Sequence, residues 1–126
     1  MATLGVGVDV VEVPRFALAL SRRARMAPRL FTEAERLDAK DAPERLAARF
    51  AAKEAVMKSL GVGLGLPFHA IEVRKHASGA PYVALHAEAA ELAASRGVTV
   101  LHLSLTHTDQ TAIAVVIATD EGPRAG

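Results

Sequence analysis

The sequence predicts an α+β fold: one domain whose mostly antiparallel sheet is packed by helices. Three observations carry that expectation. Residues 4–11 alternate with period two, and 98–105 and 112–118 are β-rich runs. Helical stretches with cap signals lie between these runs. The two closing runs are joined by Thr106-His107-Thr108-Asp109-Gln110, which reads as a hairpin turn. A length of 126 residues suits a single domain, here 1–126, and the chain shows no linker, low-complexity stretch or internal repeat.

Composition narrows the function. Hydrophobic residues make up 51% and charged residues 23%, which excludes intrinsic disorder. Fifteen Lys+Arg against 14 Asp+Glu leave a net charge of +1, too little for a general nucleic-acid coat protein. With no cysteine, disulfide frameworks, thiolate catalysis and Cys-based zinc sites are excluded. Neither a secretory leader nor a run of about 18 apolar residues is found, so no membrane partner and a cytoplasmic location are expected. Aromatic residues are only 4%, so Leu, Val, Ile and Ala must build the core. A domain of this size buries only about two-thirds of its unfolded surface, and subunit contacts can supply part of the rest.

Taken in order, residues 4–11 place Leu4, Val6, Val8 and Val10 on one side of a strand and Gly5, Gly7 and Asp9 on the other. The valine side is expected to be core. The other side is bared by two glycines, which marks close approach by a ligand or another backbone. Pro14 suits the first turn of a helix running to about Ser21. From Arg15 to Arg29 there are five arginines (Arg15, Arg22, Arg23, Arg25, Arg29) and no acid. Thr32-Glu33-Ala34-Glu35 reads as a capping box opening a second helix. Asp41-Ala42-Pro43-Glu44 opens a third, with acids at the positive end of its dipole. This helix runs to Leu60 and stops at Gly61 as a left-handed cap. After the Gly61–Pro67 loop, Ala70–Arg74 and Tyr82–Leu85 read as strands around the turn Ser78-Gly79-Ala80-Pro81. Ala87–Ser95 is an alanine-rich helix stopped by Gly97, and Val98–Leu105 with Ala112–Ala118 forms the closing hairpin. The last strand is apolar on both faces, and a frayed tail is expected from about Asp120.

The third helix does not obey its own pattern. At ~100° per residue, Leu46, Phe50, Met57 and Leu60 form one stripe, and Lys53 falls in its middle. Glu54 and Lys58 lie along its edge. One reading is that Lys53 snorkels to solvent and Glu54–Lys58 is an ordinary i,i+4 pair. The other is that this face borders a site where ammonium groups meet an anion and Glu54 meets a cation. Asp9 favours the second reading. Two carboxylates suit a hard divalent cation such as Mg²⁺, which completes its shell with water and phosphate oxygens. Lys53, Lys58 and Arg49 would then hold the remaining phosphate charge. No pair of the five histidines has metalloprotease spacing, so zinc is not supported. Ser104 and His107 lack a third triad partner. The Gly61–Gly65 loop follows a helix and lacks Lys-Ser/Thr, so it is not a P-loop.

At these residues the chain resembles the holo-acyl carrier protein synthases, the small phosphopantetheinyl transferases. The matching segments are Gly5-Val-Gly-Val-Asp9-Val-Val-Glu-Val, Arg29-Leu-Phe-Thr-Glu-Ala-Glu35, Leu46 to Gly61, Gly79-Ala-Pro81 and His102-Leu-Ser-Leu-Thr-His107. They follow the family's order and spacing to about Ala118, and Arg-Phe-Ala-Ala-Lys-Glu-Ala is the most specific. Thr106 stands where the family usually has serine. Ala80 stands where it commonly has lysine, so a charge beside the coenzyme is missing there.

The resemblance implies transfer of 4′-phosphopantetheine from coenzyme A to a serine of apo-acyl carrier protein, releasing adenosine 3′,5′-bisphosphate. It implies Asp9 and Glu54 as Mg²⁺ ligands and Lys58 on the pyrophosphate. Arg49 and Lys53 are implied as phosphate or structural partners, with Gly63, Thr106 and His107 beside the coenzyme. The base for the serine proton stays open among Glu54, Asp9 through water and a water on the metal. A homotrimer with sites between subunits is implied too. An arginine-bearing first helix would grip the acidic carrier through Arg15 and Arg22, and through Arg25 if that helix continues. The competing reading is a non-enzymatic α+β oligomer that binds nucleic acid or an acidic protein through Arg15–Arg29. It lacks stacking aromatics, since that stretch holds only Phe16.

Overall fold

The computed structural model describes residues 2–63 and 65–121. The elements are β1 (Thr3–Glu12), α1 (Val13–Arg22), α2 (Met26–Leu30), α3 (Glu33–Ala39) and α4 (Pro43–Ser59). A 3₁₀ turn (Phe68–Ala70), β2 (Ile71–Lys75), β3 (Pro81–Leu85), α5 (Ala87–Ser95), β4 (Val100–His107) and β5 (Thr111–Thr119) follow. Both sheets are antiparallel: a three-stranded one in the order β1-β5-β4, and the β2-β3 hairpin. No helix among the described residues is long and apolar enough to cross a membrane.

The expected strand at 4–11 forms, but its faces are reversed. Register places Gly5, Gly7 and Asp9 beside Ala118, Val116 and Ala114 of β5. That side is the inner one, and α4 lies across it. A Cβ on Gly5 would sit 1.9 Å from the Ser59 carbonyl oxygen, and one on Gly7 1.8 Å from that of Ala55. The glycines therefore admit the helix backbone itself. The supposed core residues face outward instead, with Val6, Val8 and Val10 exposed by 59%, 52% and 59%. Val115 and Ile117 of β5 continue this apolar outer face.

α4 is the centre of the molecule. Pro43 sits at its start, Glu44 in its first turn, and Gly61 follows its end at φ +75°. Asp41 does not cap it; the carboxylate pairs with Arg36 at 3.0 Å. The single apolar stripe expected is too narrow a description. Between Leu46 and Leu60 every residue is buried except Phe50, Glu54 and Lys58. Those three are spaced i, i+4, i+8 and form one accessible line. Around the helix start, Phe31, Phe16, Phe50 and Phe68 pack in sequence, with ring centroids 6.3, 5.2 and 5.6 Å apart.

α1 ends at Arg22, and Arg23 is extended, so Arg25 does not continue the Arg15–Arg22 line. It stands instead before α2, a short helix that the sequence reading did not separate. The capping box at α3 is present in both directions: the Thr32 hydroxyl accepts from the Glu35 amide, and Glu35 accepts from the Thr32 amide. Of the expected frayed tail, Asp120 donates its amide to the Ala2 carbonyl and Glu121 meets His102 at 3.1 Å. Residues 122–126 lie outside the described residues.

Candidate active site

The glycine-bared side of β1 leads straight to Asp9, which the close approach of α4 brings against Glu54 and Lys58. Lys58 Nζ donates to Asp9 Oδ1 at 3.1 Å and to the Val8 carbonyl at 3.0 Å. The Lys58 side chain is 53% exposed whereas that of Asp9 is 13% exposed, so the pair spans from interior to solvent. Asp9 Oδ2 is buried and has no hydrogen-bond partner among the described residues. Burial, and then the facing Asp9 carboxylate, push the Glu54 carboxyl up to about 7, with Lys58 pulling the other way.

Two carboxylates facing each other, one with an unpartnered buried oxygen, form an unsatisfied anionic site. That donor set fits a hard divalent cation, which would reverse the cost of ionising Glu54. No group of three metal-ligating side chains occurs among the described residues, so water or ligand oxygens must complete any such shell. The cleft above this pair measures 290 Å³, and Arg15 and Phe50 line it together with Asp9 and Glu54. Arg15 of α1 thus borders the carboxylate pair.

Phe50 also lines the neighbouring groove of 780 Å³, whose apolar floor of Phe68 and Met26 is rimmed by Arg23, Arg25 and Arg29. The arginine-rich stretch therefore divides between two connected surfaces. On α1, Arg15 and Arg22 flank the exposed Leu18 on one helix face.

Lys53 requires a correction. Its side chain is fully buried, and Nζ donates to Glu35 Oε1 at 2.8 Å and to the Phe68 and Ile71 carbonyls at 2.7 Å each. All three of its protons are used, so it has none left for a coenzyme phosphate, and it does not snorkel. Burial lowers its pKa, and the Glu35 carboxylate raises it back in part. Glu35 also accepts from the Val73 amide at 3.0 Å.

Arg49 and His107 line a third cavity, of 250 Å³, together with Arg45 and Lys75. Arg49 is buried, its Nε has no hydrogen-bond partner among the described residues, and desolvation lowers its pKa. Four cationic or protonatable side chains thus gather positive charge around one cavity. Thr106 does not join it. Neighbouring strand residues alternate, so Thr106 lies on the outer face beside Ile113 while His107 is on the inner one. Gly63 is exposed, and a Cβ there would meet nothing within 4 Å.

Sequence reasoning missed Glu35, Arg45 and Lys75. Glu35 had been accounted for by its capping box. Arg45 carried a signal, since like charges at i and i+4 on one helix are unfavourable without an anion.

The family model of the 4′-phosphopantetheinyl transferase superfamily matches residues 5–116. The holo-[acyl-carrier-protein] synthase of Frankia casuarinae is 52% identical over 118 residues, covering 94% of this chain and 98% of its own. That of Salinispora arenicola is 47% identical, covering 91% and 97%. The crystal structure of Helicobacter pylori holo-[acyl-carrier-protein] synthase in complex with coenzyme A superposes with a TM-score of 0.83 at 31% identity, over 90% of this chain and 99% of that one. The Mycobacterium tuberculosis acyl carrier protein synthase gives 0.76 at 37% identity, over 97% and 100%. With Asp9, Glu54 and Lys58 inside the matched residues, the chain belongs to the 4′-phosphopantetheinyl transferase superfamily and is an enzyme of its holo-[acyl-carrier-protein] synthase family.

Proposed function

We propose that this enzyme transfers 4′-phosphopantetheine from coenzyme A to a serine hydroxyl of apo-acyl carrier protein, with Mg²⁺, releasing adenosine 3′,5′-bisphosphate. The observation that carries the reading is the meeting of Asp9 and Glu54 at one cleft, with Lys58 bonded to Asp9 and Asp9 Oδ2 unpartnered among the described residues. Asp9 and Glu54 would hold Mg²⁺, which supplies charge neutralisation on the diphosphate when bound. Lys58 needs only to turn its exposed ammonium from Asp9 to the departing phosphate, where negative charge builds in the transition state. The serine proton goes to a carboxylate of the cleft, Glu54 directly or Asp9 through water.

The cationic cavity at Arg45, Arg49, Lys75 and His107 suits the nucleotide phosphates. Arg45 and Glu54 are about 180° apart around α4, so this cavity and the reacting cleft face opposite ways on one chain. A coenzyme touching both therefore spans two subunits. Support for that assembly comes from the exposed valine face of β1 and β5, an apolar patch that a monomer would leave in water. We assign it to a homotrimer interface. The Arg15–Leu18–Arg22 face of α1 takes the acidic carrier, with Arg25 contributing from the adjoining groove. The enzyme works in the cytoplasm. Incubation with coenzyme A, Mg²⁺ and apo carrier tests the reading: the carrier gains the mass of one phosphopantetheine arm. No gain at any Mg²⁺ concentration overturns it.

A further inference from the structure

Two of the three residues at the reacting cleft ride on α4, so the cleft is only as well formed as that helix is well placed. Packing holds α4 in the core through Leu46, Val56, Met57 and Leu60 as well as five buried alanines (Ala47, Ala48, Ala51, Ala52, Ala55), and β1 meets it through glycine backbone. These contacts set how closely the helix sits, but they contain no directional bond that selects one rotation and register. The Lys58–Asp9 pair belongs to the cleft itself and must loosen when a phosphate competes for the ammonium. Arg96, which donates to the Leu60 carbonyl, holds only the far end.

Lys53 is different. It precedes Glu54 by one residue, and its ammonium is bound by acceptors on α3, on the 3₁₀ turn and at the start of β2. The Glu35 carboxylate is fixed in turn by the Thr32 and Val73 amides. Both side chains are 0% exposed. A buried ion pair of this kind is weak evidence for stability, since well-packed apolar side chains serve as well or better. Its directional bonds are what an apolar pair cannot replace.

We propose that the buried Glu35–Lys53 pair is a positioning device, fixing the rotation and axial register of α4 so that Glu54 and Lys58 are held opposite Asp9. This rests on the reading of the cleft given above. Removing the pair while keeping the helix packed should leave a folded enzyme whose cleft is loose, and misplacement of reacting groups by about 1 Å costs on the order of 100-fold in rate.

The experiment compares the parent with Glu35→Gln/Lys53→Met, which removes both buried charges and keeps side-chain volume. Thermal melts, kcat and KM for coenzyme A, and binding of Mn²⁺ alone by titration calorimetry are measured on both. Positioning predicts a folded double variant with kcat lowered at least about tenfold, KM for coenzyme A within about threefold, and Mn²⁺ affinity weakened. A folded double variant with parental kcat overturns the proposal and leaves the assigned reaction standing. A parent that transfers nothing overturns the reaction, and the proposal with it. If the double variant does not fold, the same split is read on Glu35→Gln, which keeps an acceptor for the Val73 amide; a drop in kcat at constant KM supports positioning, and an unchanged kcat overturns it.

Discussion

Replacing Gly7 with alanine is the most direct challenge to this architecture. The new Cβ would lie 1.8 Å from the Ala55 carbonyl oxygen, where contacts under 3.0 Å are essentially never found. β1 and α4 must therefore part by about 1.2 Å or more, and no side chain can yield, because the obstructing atoms are backbone. Overpacking costs about 1–3 kcal/mol where side chains can adjust, and a rigid obstruction takes the upper end or beyond, ~3–4 kcal/mol. Against a total of roughly 5–15 kcal/mol this is a large fraction. At about 4 °C per kcal/mol for a domain of this size, the midpoint should fall by roughly 12–16 °C. Urea denaturation followed by circular dichroism reads the same loss as a lower midpoint at unchanged slope. The displacement also carries Asp9, two residues on, away from Glu54 and Lys58. Turnover by the folded fraction should therefore fall by on the order of 100-fold. Gly65→Ala, where a Cβ meets nothing within 4 Å, is the matched control for stability. A Gly7→Ala protein with the parental midpoint would refute backbone contact between strand and helix.

Four further outcomes are expected. In metal-free protein the raised carboxyl of Glu54 favours the folded state fully below pH 4.5, and that contribution disappears as pH rises through about 7. After discounting for solvent screening, parent minus Glu54→Gln stability should drop by about 1 kcal/mol from pH 5 to 8, and Mg²⁺ at pH 8 should restore it; flat difference curves would count against the facing carboxylates. Lys58→Ala should lose turnover while keeping its melting temperature within a few degrees, whereas Lys53→Ala, leaving Glu35 charged and buried, should lose about 3–5 kcal/mol of stability; equal melts would contradict the two environments. Arg15→Glu with Arg22→Glu should raise KM for apo carrier strongly and for coenzyme A little, with a salt dependence that weakens in parallel; a common rise in both constants would remove α1 as the docking face. Val8→Asp should shift the light-scattering mass to that of a monomer and abolish transfer, and an active monomer would end the case for shared sites.

Local signals were read well and their three-dimensional sense less so. The capping box at Thr32–Glu35, the left-handed cap at Gly61 and the helix stop at Gly97 depend on residues a few positions apart, and each is found as expected. Alternation located β1 but could not say which face lies inward, because period two is the same seen from either side. Hydrophobicity pointed to the valines, and the glycine pair, which marked close approach, pointed correctly to the other side. Asp9, Glu54 and Lys58 were legible as a group only because charge sat on or beside a core helix and bare backbone sat beneath a carboxylate. The partner of Lys53 was not legible: the need for an anion was clear, but Glu35 already had a local role and meets Lys53 only through tertiary packing. The break after Arg22 is likewise tertiary, with Pro28 the sole local hint.

Strand order has a consequence for how the molecule is made. Among the described strands β1 pairs only with β5, Thr3 opposite Thr119, and about 100 residues separate the end of one strand from the start of the other. At synthesis rates of roughly 5–20 residues per second, β1 waits about 5–20 s for its neighbour. During that interval a valine-rich segment lacks its ladder, and such a segment is prone to pair with the wrong chain. Asp9 lies within it. The carboxylate made first is thus among the last to be set in place, so a ribosome-bound chain lacking β5 should show no fraction of the final activity, and holdase chaperones that shield β1 should raise the yield of active enzyme.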